Sequence, residues 1–85
     1  MSELTLKRLE YFSTVAEEGN VTRAARRLHI SQPALSLQLK MLEEAVGRRL
    51  ITRTPRGIML TSAGSALKAE AETLLNQAQL LRQRV

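Results

Sequence analysis

Four blocks of the chain carry apolar residues at helical spacing, and one short block before the last of them does not. Leu6, Leu9, Phe12, Val15 and Ala16 fall on one face of a first helix over 6–16, and Gly19 offers its exit. Phe12, the single phenylalanine, is the natural core plug, with Tyr11 at the core margin. Ala24, Ala25 and Leu28 give a second helix, capped by Asn20 and running to about His29, a face of small residues that another helix can approach closely. His29 reads as a turn residue packing between helices. Ser31 caps a third helix, and Pro33 stands in its first turn, where a missing donor costs nothing. Leu35, Leu39, Leu42 and Val46 then draw one apolar stripe at i, i+4, i+7 and i+11, and Gly47 ends the helix.

The next segment, RRLITRTPRGIMLT, reads as a hairpin. Leu50–Thr52 and Ile58–Leu60 are short β-prone runs split by Arg53–Gly57, whose tip displays Arg53 and Arg56. A two-stranded ribbon is marginal alone and has to pack on the helices. From Thr61 or Ser62 the pattern is helical again, with no breaker after Gly64. About 24 residues at ~1.5 Å each make a rod of roughly 36 Å. Leu67, Leu74 and Leu81 recur every seven residues, with Ala71, Ala78 and Val85 at the alternate seam positions. So small a domain cannot cover that rod, and the seam Leu67, Ala71, Leu74, Ala78 and Leu81 suits a second copy. The plainer alternative is a helix packed on its own domain alone.

Two short helices joined by a tight turn, the second capped and polar on its outer face, make the pattern of a helix-turn-helix, and the hairpin after it is a wing. The predicted fold is mainly α: a winged helix-turn-helix of three helices plus a two-stranded β-wing over residues 1–60, then a long C-terminal helix over 61–85 for dimerisation.

Composition narrows the function. Eighty-five residues suffice for one modest core but not for a core plus a deep pocket. The chain has no Cys, no Asp and one His, so it lacks a thiolate or histidine-rich metal site and a nucleophile–base pair. No metal, cofactor or enzymatic activity is expected. No apolar run approaches the roughly 18 residues of a membrane span, and the N-terminus has no signal-peptide core, which makes a cytoplasmic protein the expectation.

Where the charge lies says more than its net value of +5. Residues 1–19 sum to −2, while residues 20–57 hold eight arginines and lysines against Glu43 and Glu44, a net of +6. A charge cluster is ordinarily a solvated face; this one coincides with the helix-turn-helix and the wing, and points to a polyanion. Thr22 and Arg23 lie in the first turn of the second helix, where side chains and N–H groups meet phosphates, although Thr22 also suits a second capping role. At about 100° per residue the face of the third helix opposite its leucine stripe shows Pro33, Ser36, Leu37, Lys40 and Glu44, with Gln32 at the helix start. Gln suits adenine, Lys suits guanine, and Ser suits any base edge. Leu37 either touches a thymine methyl or is a tolerated surface leucine.

These residues carry a resemblance. TRAARRLHISQPALS, followed by LITRTPRGIMLTSAG, resembles the N-terminal DNA-binding region of the LysR-type bacterial transcriptional regulators over essentially the whole chain. The resemblance implies a winged helix-turn-helix and a linker helix, antiparallel pairing of linker helices in a dimer, and commonly a tetramer of two dimers. It further implies binding to interrupted palindromes in double-stranded DNA near promoters. Members respond to a small co-inducer through a separate C-terminal domain, so this chain reads as a piece of a longer regulator, without its effector-binding domain. Carried over position by position, the base-contact candidates are Gln32, Pro33, Ser36, Leu37 and Gln38. Gln38 rests on the resemblance more than on its angle, and the family commonly has arginine where Leu37 stands. Backbone-contact candidates are Thr22, Arg23, Ser31, Lys40, Arg53 and Arg56. On this reading Gln32 and Ser36 set base preference, whereas Arg53 strengthens binding to all sequences alike. The rival readings are a winged-helix regulator of another family, and a helix-mediated dimerisation module without DNA binding.

Overall fold

Every helix starts at a side chain that accepts from a backbone N–H three residues on, satisfying one of the donors that a helix leaves open at its start. In the computed structural model, which describes residues 3–85, Thr5 caps α1 (Leu6–Glu18), Asn20 caps α2 (Val21–Leu28), Ser31 caps α3 (Gln32–Val46) and Thr61 caps α4 (Ser62–Arg84). Between α3 and α4 run β1 (Ile51–Thr54) and β2 (Gly57–Leu60), an antiparallel pair. The architecture is the expected one: three helices, a two-stranded hairpin and a long last helix.

The helix ends are as local as the starts. Gly19 and Gly47 leave α1 and α3 with φ of 67° and 76°, a left-handed turn that costs glycine little. His29 does the same for α2 at φ 59°, the one non-glycine residue with positive φ among those described. Its side chain is exposed, so His29 shapes the turn through its backbone instead of packing between helices.

One core unites all these elements. Leu9, Phe12 and Val15 of α1 meet Val21, Ala24 and Ala25 of α2, Leu35, Leu39 and Leu42 of α3, and Leu50 and Ile51 at the wing's entry. Ala71 of α4 is fully buried in the same cluster and Leu67 is half-buried against it, so the core does not stop at residue 60. Leu6, expected inside, is exposed; it lies beside Leu75 and Ala78 near the outer half of α4, where no further layer covers it.

The hairpin is longer than its β-prone runs. Thr54 pairs with Gly57, which leaves only Pro55 and Arg56 in the turn and puts Arg53 inside β1 opposite Ile58. Three backbone contacts fix this wing. Ile58 N–H donates to the Gly19 carbonyl at 3.0 Å, and Gly57, at φ 140°, lies so close to that carbonyl that a Cβ would collide with it. Glu43 accepts from the N–H groups of Leu50 (2.7 Å) and Ile51 (3.3 Å), clasping the strand's start to α3. Gly64 of α4 packs directly on the Leu50 carbonyl, which accepts from Thr61 N–H at 3.0 Å. No helix among the described residues is long and apolar enough to cross a membrane.

Candidate nucleic-acid interface

The leucine stripe of α3 points into the core, which turns its opposite face outward between the start of α2 and the wing. Pro33, Leu37 and Lys40 are exposed there, and Gln32 and Ser36 are half-buried toward the wing. Leu37 keeps 55% of its surface, an apolar side chain in the middle of a polar face. Ser36 is the meeting point of that face with β1: its Oγ accepts from Arg53 Nη2 at 2.7 Å and from Gln32 Nε2 at 3.2 Å. Arg53 was expected at the hairpin tip; its place in the strand brings its guanidinium onto α3 instead. Arg56 alone, with the neighbouring Pro55, stands exposed in the turn, its N–H donating to Thr54 Oγ1 at 3.3 Å.

Two concavities flank this node. One lies between α3 and β1, bordered by Ser36, Lys40, Glu43, Arg49 and Arg53. Three cations, Lys40, Arg49 and Arg53, stand there against the single carboxylate of Glu43, which also accepts from two backbone N–H groups, so the concavity is net positive. The other joins Asn20 and Thr22 at the start of α2 to Gln32 and to the wing residues Arg53, Thr54 and Pro55. Thr22 and Arg23 are exposed in the first turn of α2, where the cap is Asn20, so the Thr22 hydroxyl is not the capping group. Ser31 is exposed as well, and its hydroxyl accepts from Ala34 N–H at 3.2 Å.

Three of the expected residues are drawn elsewhere. Gln38, placed among the base contacts, is half-buried, and its carbonyl accepts from Arg8 Nε at 3.0 Å, tying α3 to α1. Arg8 also donates to the Glu3 carbonyl and lies 3.4 Å from Met41 Sδ. Arg27, counted in the basic excess, is held by Glu17 at 2.7 Å and Glu18 at 3.1 Å, the only ion pairs among the described residues. The hydrogen bonds that Arg27 donates to these carboxylates, Glu17 first, raise its pKa from an already high value. Ala71, placed on the seam, belongs to the chain's own core and has no surface left for a partner.

The rest of the seam divides along α4. Leu67 is half-buried on the domain, Ala78 is half-buried, and Leu74 and Leu81 are exposed, Leu81 to 63%. Arg49 is the residue that sequence reasoning passed over as a site candidate. The signal was its place directly after the Gly47–Arg48 exit of α3, at the entry to the wing.

Comparisons with known proteins fit this geometry. The family model described as "Bacterial regulatory helix-turn-helix protein, lysR family" matches residues 6–65. The HTH-type transcriptional regulator ClcR of Pseudomonas putida is 46% identical over 81 residues, 95% of this chain and 28% of that protein. The Hca operon transcriptional activator HcaR of Escherichia coli K12 is 45% identical over 76 residues, 89% of this chain and 26% of that protein. The chain thus spans about a quarter of the length of the curated relatives it matches. Among solved structures, the DNA-binding domain of CbnR in complex with DNA superposes with a TM-score of 0.91 at 42% identity, covering 95% of this chain and 93% of that one. The BenM DNA-binding domain on catB site 1 DNA gives a TM-score of 0.91 at 36% identity, covering 95% and 91%.

Proposed function

The chain belongs to the LysR family of bacterial regulatory helix-turn-helix proteins, as a DNA-binding domain of that non-enzymatic family, and from this premise we propose that it reads double-stranded DNA as a homodimer. In this reading α3 enters the major groove and presents Gln32, Pro33, Ser36 and Leu37 to base edges. Leu37 there meets the methyl of a thymine, the one apolar feature of a major-groove edge. Thr22, Arg23, Ser31, Lys40 and Arg56 lie along the sugar-phosphate backbone, and Arg53 stands between the two sets. The observation that carries the reading is the Arg53–Ser36 hydrogen bond of 2.7 Å, which puts the wing's cation and the recognition helix on one continuous face.

The homodimer forms through the outer half of α4, by Leu74, Ala78 and Leu81 with Leu67 at its inner margin. Paired antiparallel, these helices set two recognition helices in successive major grooves about 34–36 Å apart, which calls for an interrupted palindrome as operator. In a longer regulator, a tetramer of two such dimers and a co-inducer bound by a C-terminal domain follow from the family, and the site of action is the cytoplasm, where the DNA is.

A salt titration of duplex binding by fluorescence anisotropy tests this. With Arg23, Lys40, Arg53 and Arg56 each neutralising a phosphate, a dimer covers about eight, and log K against log salt falls with a slope near −7. A slope near zero, or dimerisation without duplex binding, overturns the reading in favour of a helix-mediated interaction module.

A further inference from the structure

We propose that Ser36 is an obligate hydrogen-bond donor to a base edge, and that Gln32 and Arg53 make it one; the inference rests on the DNA-reading role given above. A serine hydroxyl has one proton and two lone pairs. Here Arg53 Nη2 at 2.7 Å and Gln32 Nε2 at 3.2 Å both donate to the same Oγ, so both lone pairs are occupied. What remains is the O–H. Thr14 and Thr73, other hydroxyls within helices, donate back to the carbonyls of Glu10 (3.0 Å) and Ala69 (3.3 Å); among the described residues nothing accepts from Ser36.

The consequence concerns specificity. A serine on a recognition helix ordinarily pairs with any base, because it can either give or take a hydrogen bond. With its lone pairs filled, Ser36 accepts nothing from the amino groups of adenine or cytosine, and selects purine N7, guanine O6 or thymine O4. A charged donor on the oxygen also polarises the hydroxyl and strengthens the bond it gives. Arg53 comes from β1, so the wing fixes the polarity of a side chain on α3. Arg53 is therefore a positioning residue for base selection, and not only a cation serving all sequences alike.

The test takes the 85-residue chain on its selected operator, with base analogues placed one position at a time in a half-site. Two analogue classes are compared: 7-deazapurines, 2-aminopurine for guanine and 4-thiothymine, which remove or weaken an acceptor (N7, O6 and O4 in turn), and purine for adenine or pyrimidinone for cytosine, which remove a donor. Dissociation constants are expressed relative to the natural duplex for the chain, for Ser36→Ala and for Arg53→Met, so the general loss of a positive charge cancels. At one position per half-site an acceptor-deleting analogue weakens the unaltered chain by about 3–12-fold, the magnitude of one neutral hydrogen bond. It weakens Ser36→Ala by less than about 2-fold. Where the contacted base pair is exchanged for one that presents an amino group in the same place (guanine to adenine, or thymine to cytosine), the unaltered chain loses the bond in full, whereas Arg53→Met loses less than about 2-fold, because a freed lone pair lets Ser36 accept as well as donate. The proposal is overturned if Ser36→Ala differs from the unaltered chain at a donor-deleting analogue or at none, or if Arg53→Met discriminates against the amino-presenting base pair as fully as the unaltered chain does. Failure of the unaltered chain to bind any duplex is a separate result, which overturns the DNA-reading role itself.

Discussion

Replacing Gly57 with alanine sets local strain against the wing's attachment. At φ 140° an alanine is strained by about 1–3 kcal/mol. Its Cβ would also meet the Gly19 carbonyl, which is backbone and accepts from Ile58 N–H at 3.0 Å, so relief means drawing the wing off the α1–α2 turn and losing that hydrogen bond. The bond is worth about 1 kcal/mol and overpacking about 1–3, and since one movement relieves both, the expected loss is about 3 kcal/mol. For a domain of this size that is a fall in Tm of roughly 12–24 °C by circular dichroism. Gly19→Ala is the internal comparison: it too has a positive φ, 67°, but a Cβ there meets nothing within 4 Å, so it costs about 1 kcal/mol. Because the same shift moves Arg53 away from Ser36, Gly57→Ala also weakens DNA binding of the protein that remains folded. Equal losses of stability for the two alanines would refute the close approach as the reason for glycine at 57.

Three further outcomes follow from particular side chains. His29→Gly, at φ 59° with an exposed side chain, raises stability by about 0.5–1 kcal/mol, read as a higher urea midpoint at unchanged m-value. Arg27→Ala leaves duplex affinity within about 2-fold, since its charge is already matched by Glu17 and Glu18, whereas Arg56→Ala lowers affinity on specific and random duplexes alike and reduces the dimer's salt slope by about 2. Leu81→Glu, on the exposed outer half of α4, leaves the helical circular dichroism unchanged and shifts the chain to monomer in sedimentation velocity, while Ala71→Leu lowers Tm by overpacking the core.

Features decided within a few residues were legible in the sequence. Asn20, Ser31 and Thr61 cap their helices because each needs only its own turn, and the glycines at 19 and 47 end theirs for the same reason. The stripe of α3 and hence its outward face followed from a period of 3.6. Features decided across the chain were not legible. Arg53 lies in the strand because the wing's register is fixed by docking on Gly19, more than thirty residues away. Gln38 turns to Arg8 on α1, and Arg27 to the last turn of α1, contacts that no local pattern encodes. A heptad count placed Ala71 with Leu74 and Leu81, but only the face of α4 that turns to α1 is covered, so Ala71 is buried in the core while Leu74 and Leu81 are exposed.

The claim that this chain is half of a paired DNA reader is tested most directly by selecting binding sites from random duplexes with the 85-residue chain. The account predicts an enriched site of two inverted half-sites whose centres lie about 10–10.5 base pairs apart, with affinity falling when about five base pairs are inserted between them and staying low when about ten are, because the dimer holds its recognition helices one helical turn apart. Enrichment of a single undivided site, or affinity indifferent to the spacing, would contradict it.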